Sequence, residues 1–97
     1  MAIVFKFKHV GFTESKYHEA IKKLQEAGEG NPKGRSYHVC YGDKNEVDIL
    51  DIWDSMEDFE AFGKTLIPIL TSLGVKLKQP DVQEVFGIEK GQLEKQV

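Results

Sequence analysis

His38 and Cys40 alternate within Arg35-Ser36-Tyr37-His38-Val39-Cys40-Tyr41, so an extended backbone places both side chains on one face. An imidazole titrating near neutrality can act as a general base or hydrogen-bond a carbonyl; it serves equally as a buried ring satisfied by a neighbour. His38 is the catalytic candidate. With Cys40 it offers two potential metal ligands, which His9 or His18 would have to complete. No CxxC or HxxxH pattern accompanies them, so neither a metal nor another cofactor is expected. Cys40 reads as a small hydrophobe, since a catalytic thiol needs an adjacent cation and partial exposure.

Trp53 could line a pocket and stack on a flat ligand, or bury its area as a core and interface anchor. Tyr17 lies on the apolar stripe of the first helix, where its ring can pack while its hydroxyl reaches a cavity. Phe62, on the stripe of the second helix, completes the set of ligand-binding candidates. Asp51 interrupts an apolar face, where a carboxylate needs a donor or water; Arg35 is the expected partner of an ion pair. The glycines of Gly28–Gly34 (GEGNPKG) lack the strand-to-helix setting of a phosphate loop, and nucleotide binding is not expected there.

Positioning these residues requires four strands and two helices. Ile3, Phe5 and Phe7 alternate with Val4, Lys6 and Lys8 over residues 2–9, the period of a strand. Thr13 is a plausible N-cap, and Tyr17, Ala20, Ile21, Leu24 and Ala27 recur at helical spacing from Glu14 to Ala27, with Gly28 closing the helix. Residues 35–41 and 46–53 flank Gly42-Asp43-Lys44-Asn45, a hairpin-length turn. A turn symmetric about Asp43-Lys44 sets Tyr41 opposite Glu46. Ser36, His38 and Cys40 then share a face with Val47, Ile49, Asp51 and Trp53; a one-residue shift reverses the grouping. Ser55 caps a second helix whose stripe is Met56, Phe59, Phe62, Leu66, Leu70 and Leu73, with a kink or restart expected near Ile67 because Pro68 has no amide to donate. A last strand spans about Val82 to Ile88, and residues 89–97 read as a tail.

Strand, helix, strand, strand, helix, strand is the split βαβ pattern: an α+β, ferredoxin-like four-stranded antiparallel sheet with both helices on one face. At 97 residues the chain makes one domain, 1–97. Both faces of the hairpin are apolar, Val47, Ile49 and Trp53 on one side and Tyr37, Val39, Tyr41, Leu50 and Ile52 on the other. The helices cover one face, and a second copy is the simplest cover for the other. Sixteen acidic and thirteen basic residues scatter along the chain, giving a net charge of −3 and no basic stripe for nucleic acid. The longest apolar run, Leu66 to Leu70, is far too short to span a bilayer. With no signal-peptide pattern and a single cysteine, a cytoplasmic protein without a membrane partner is expected.

The run Gly34 to Cys40, then Val47-Asp48-Ile49-Leu50-Asp51-Ile52-Trp53-Asp54-Ser55, resembles the dimeric α/β barrel superfamily, in particular its antibiotic-biosynthesis-monooxygenase-like branch. Phe59-Glu60-Ala61-Phe62, Leu66, Pro68, Leu70 and Gly74 extend the resemblance, which covers about Ile3 to Ile88. It implies a homodimer whose sheets pack face to face and a small pocket between sheet and helices, with Trp53 and His38 at positions the branch also uses. Three functions follow as expectations. The first is a homodimer binding a small apolar or aromatic ligand between sheet and helices, a reading that, like the second, a cavity of several hundred Å³ beside His38 and Trp53 would favour over a fully packed core. The second is a cofactor-independent monooxygenase acting on a phenolic or quinol-type molecule, and the third a non-catalytic dimerisation module. The strand-one Asn used by some enzymes of the branch is absent, since Asn31 and Asn45 both fall in loops.

Overall fold

A computed structural model describes residues 1–89 and 91. The strands β1 (Ile3–Phe7), β2 (Arg35–Asp43), β3 (Glu46–Trp53) and β4 (Asp81–Glu84) alternate with the helices α1 (Glu14–Glu26) and α2 (Met56–Ser72) in the expected order. The sheet runs β2-β3-β1-β4 with every neighbouring pair antiparallel, the ferredoxin-like arrangement. β1 and β3 are its central strands. Phe5 and Trp53, the most deeply buried large side chains, come from these two strands on the helix-covered face.

Both helices start where the sequence indicates. The Thr13 hydroxyl accepts from the Lys16 amide and the Ser55 hydroxyl from the Asp58 amide, each satisfying a first-turn donor. Gly28 adopts φ +81 directly after the Ala27 cap. The expected restart at Ile67 does not occur: α2 runs unbroken through Pro68. Pro68 and Lys64 both lie on the exposed side of the helix, where water can satisfy the carbonyl that loses its amide partner. The last strand is shorter than expected. Its ladder ends at Glu84, opposite Ile3 where β1 begins, with one further bond from the Val85 amide to the Ala2 carbonyl. Of the expected tail, Lys90 and residues 92–97 lie outside the described residues.

The hairpin register differs from the symmetric one by two residues. Asp43 pairs with Glu46, so Lys44-Asn45 is the turn, and the Asp43 carboxylate accepts from the Asn45 amide. A shift of two preserves side-chain grouping, and His38 and Cys40 do share a face with Val47, Ile49 and Asp51. Ser36 is the exception. A bulge between Arg35 and Tyr37 lets Arg35, not Ser36, pair with Trp53, which puts Arg35 on the helix-covered face.

The core has two parts. Phe12, Ala20, Val47, Ile49, Leu70 and Val75 form one; Phe5, Leu24, Trp53 and Phe62 form the other. Phe7, Leu66 and Ile69 pack against both. On the opposite sheet face no element among the described residues covers β2 and β3, and Tyr37 and Tyr41 stay 52% and 43% exposed.

Candidate functional site

Where the two parts of the core meet, polar groups line up between sheet and α1. β2 and β3 place His38 directly opposite Asp51, and their side chains meet on the covered face. The Asp51 carboxylate can only accept, so His38 carries its proton on Nδ1 and donates to Asp51 Oδ1 at 2.5 Å. In the neutral ring Nε2 is then an acceptor, and the Tyr17 hydroxyl donates to it at 2.7 Å. The two rings stack with centroids 5.8 Å apart. On the far side, the indole Nε1–H of Trp53 donates to Asp51 Oδ2 at 3.3 Å. A single chain of hydrogen bonds therefore runs Tyr17, His38, Asp51, Trp53. Asp51 is 5% exposed and both its oxygens are used, which is how a carboxylate is accommodated at that depth.

Arg35 does not take the role expected of it. Asp51 is satisfied by His38 and Trp53, and Arg35 instead lays its guanidinium over the Phe62 ring, 5.5 Å from the centroid. A two-residue change of register accounts for the difference: a symmetric turn would set His38 opposite Ile49, whereas the actual ladder sets it opposite Asp51.

These groups border a cavity of about 50 Å³. His9, Tyr17, His38, Asp51 and Arg35 supply its polar wall, and Phe12, Ile49, Leu24 and Phe62 are among its apolar contacts. It exceeds the roughly 10–15 Å³ that one water requires and is far smaller than the several hundred Å³ that would favour ligand binding over a packed core. Close packing of Phe7, Phe12 and Leu66 against their neighbours fills that space. Trp53 does not touch the cavity; it stands behind Asp51 as a fully buried support. Of the four sequence candidates, the structure brings Tyr17, His38 and Phe62 to one cavity and sets Trp53 one bond behind it.

A larger groove of about 380 Å³ runs between α2 and residues 77–80, and Phe7, His9 and Leu66 belong to the walls of both spaces. Sequence alone suggests His9 only as a metal ligand. It continues the inward alternation of Phe5 and Phe7, is 7% exposed, and accepts the Lys78 amide on Nδ1 at 2.9 Å. Burial lowers its pKa.

Burial raises the Tyr17 pKa, with Cys40 and Asp51 adding to the effect and Arg35 opposing it. The Tyr17 hydroxyl therefore keeps its proton near neutral pH and is a hydrogen-bond donor to His38 rather than a resident phenolate. Cys40 also has a raised pKa, first from burial and then from Glu14 and Asp48, which keeps its thiol protonated and unreactive. His18 is exposed on α1 beside Glu14, and the described residues contain no group of three or more His, Cys, Asp or Glu side chains able to hold a metal. Nor does any described helix have the length and apolarity to cross a membrane.

The architecture and the site together define a ferredoxin-like α+β protein with a polar chain beneath its first helix. Solved structures share this fold at low sequence identity. Protein YjcS aligns with a TM-score of 0.62 and 11% identity, covering 88% of this chain and 99% of its own. A Deinococcus radiodurans structure provisionally named an antibiotic biosynthesis monooxygenase gives 0.60 and 13%, covering 95% of this chain and 99% of its own. SnoaB, a cofactor-independent oxygenase from Streptomyces nogalater, gives 0.58 and 13%, covering 97% and 96%. Several further structures of this fold carry the antibiotic-biosynthesis-monooxygenase name, the group that the hairpin and second-helix residues resemble. No family model and no curated protein matches the sequence.

Proposed function

We propose that this chain forms a homodimer, each subunit of which binds a small molecule with an apolar or aromatic body in the cavity beside Tyr17 and His38. The observation that carries the reading is the hydrogen-bonded chain from Trp53 to Tyr17, whose terminal member lines the cavity. Such a chain fixes the tautomer and the tilt of His38 before a ligand arrives. Two-dimensional NMR of the His38 ring during titration with small aromatic molecules tests it. Displaced ring resonances are expected; none across the panel would leave the third function, a dimerisation module with a packed core.

Homodimerisation is supported by the uncovered sheet face, where Tyr37, Val39, Tyr41, Leu50 and Ile52 stand together. Packing two such faces together buries apolar area at about 25 cal/mol per Å². Sedimentation at micromolar concentration should give a dimer, and a stable monomer would refute the assembly. A cytoplasmic setting fits a chain whose single cysteine is unpaired.

A second reading is enzymatic: a cofactor-independent oxygenase acting on a phenol or quinol. Its specific support is that Tyr17, His38 and Asp51 form a relay able to accept a substrate hydroxyl proton, Tyr17 passing its own to His38 as it does so. SnoaB, of the same fold, is a cofactor-independent oxygenase. Oxygen uptake with a quinol panel, abolished by His38→Ala in a folded protein, would establish it; no uptake with any member would exclude it.

A further inference from the structure

The ligand-binding reading leaves the chemistry of the ligand open, and the charges around the cavity narrow it. Asp51 is the carboxylate on the cavity wall. Its Oδ1 is engaged by the His38 ring and its Oδ2 by the Trp53 indole. Arg35 is the cation on that wall, partly buried, and makes no salt bridge among the described residues. Its guanidinium carbon lies over the Phe62 ring, 5.5 Å from the centroid, a contact that uses none of its N–H donors and leaves them for a partner. A permanent positive charge that is partly withdrawn from water, with its carboxylate neighbour already satisfied, calls for an anion.

We propose, building on the ligand-binding reading, that Arg35 makes this cavity a receptor for a small organic carboxylate, held edge-on by the guanidinium with its apolar body against the cavity wall. The planar fork of arginine matches the two oxygens of a carboxylate. The volume, about 50 Å³, restricts the body to a short acid or, with displacement of Phe7 or Leu66 toward the adjoining groove, a single ring. Tyr17 and His38 then face the ligand from α1 and β2.

Acetate, isobutyrate and benzoate, each against its neutral amide, form the test panel, read by calorimetry and by the His38 ring resonances. At least one acid should bind about ten-fold or more tightly than its amide, and Arg35→Gln should bring the ratio of acid to amide affinity down to about one. Arg35→Lys, which keeps charge and stem but loses the fork, should retain part of the preference. Equal affinity for acid and amide in the wild-type protein, or an acid affinity unchanged in Arg35→Gln, would overturn the role of Arg35 and leave ligand binding intact. Absence of any response from the whole panel would overturn both. Should Arg35→Gln fail to fold by circular dichroism, the acid-to-amide ratio of the wild-type protein and the Arg35→Lys variant still decide the matter.

Discussion

His38 and Asp51 face each other across the β2–β3 ladder, and their side chains close a 2.5 Å hydrogen bond on the covered side of the sheet. What makes this pair directional is the third member. The Trp53 indole can only donate, so whatever occupies position 51 must present an acceptor toward it.

Asp51→Asn should therefore reverse the chain. The amide oxygen has to face Trp53, which turns the NH₂ group toward His38 Nδ1 and forces the ring proton onto Nε2. His38 would then donate to Tyr17 instead of accepting from it. Nitrogen chemical shifts of the ring should show the opposite tautomer from wild type, with a stability loss of about 1–3 kcal/mol from the weakened charge-assisted bonds. An unchanged tautomer would contradict the donor assignment.

His9 supplies a pH signature. Its folded pKa lies below the ordinary imidazole value of 6.5 because burial disfavours the charged ring. As pH falls through 6.5 the unfolded chain takes up a proton that the folded protein resists, so stability declines toward acid and levels off above that pH. Protonation of Nδ1 also removes the acceptor of the Lys78 amide. His9→Asn keeps an acceptor near that position and abolishes the titration. Urea midpoints measured at about pH 7.5 and pH 5.5 should converge in the variant relative to wild type, the other two histidines being common to both proteins.

Gly34 has φ +87, and a Cβ there would collide with the Asp58 carboxylate at the start of α2. Its carbonyl also accepts the Asp54 amide at 2.7 Å. Gly34→Ala should cost about 1–3 kcal/mol in thermal or chemical unfolding. Trimming the obstacle in Gly34→Ala/Asp58→Ala should recover only the collision part of that loss, leaving the left-handed backbone penalty.

Tyr37→Glu and Tyr41→Glu place charges on the uncovered sheet face without touching the helix-side core. Sedimentation should show both shifted toward monomer, with helical content preserved by circular dichroism. A dimer of unchanged stability in both variants would locate the contact elsewhere.

The order of elements and both helix starts were legible because each depends on local chemistry: apolar periodicity, and the Thr13 and Ser55 hydroxyls beside free amides. The grouping of the hairpin side chains, Ser36 excepted, was also legible, since the true register differs from the symmetric one by an even number of residues; which group the helices cover was not. The Asp51–His38 bond was not, because cross-strand partners depend on where the turn falls, and Gly42 and Asp43 continue the strand instead of turning. Nor was the unbroken α2, in which exposure of Pro68 and Lys64 spares the helix a break. The small size of the cavity was illegible for a different reason: it depends on how Phe7, Phe12 and Leu66 interlock, and no pattern along the chain encodes that.

The extra residue at Ser36 has an effect out of proportion to its size. On a regular ladder in the present register Ser36 would stand opposite Trp53 and Arg35 would lie outside it, so the cavity wall would carry a neutral hydroxyl in place of a cation. The sign of charge offered to a ligand is thus written in the count of backbone units rather than in the choice of side chains. Chains of this fold could alter their selectivity by gaining or losing one residue at the end of this edge strand, with every residue of the polar chain left in place.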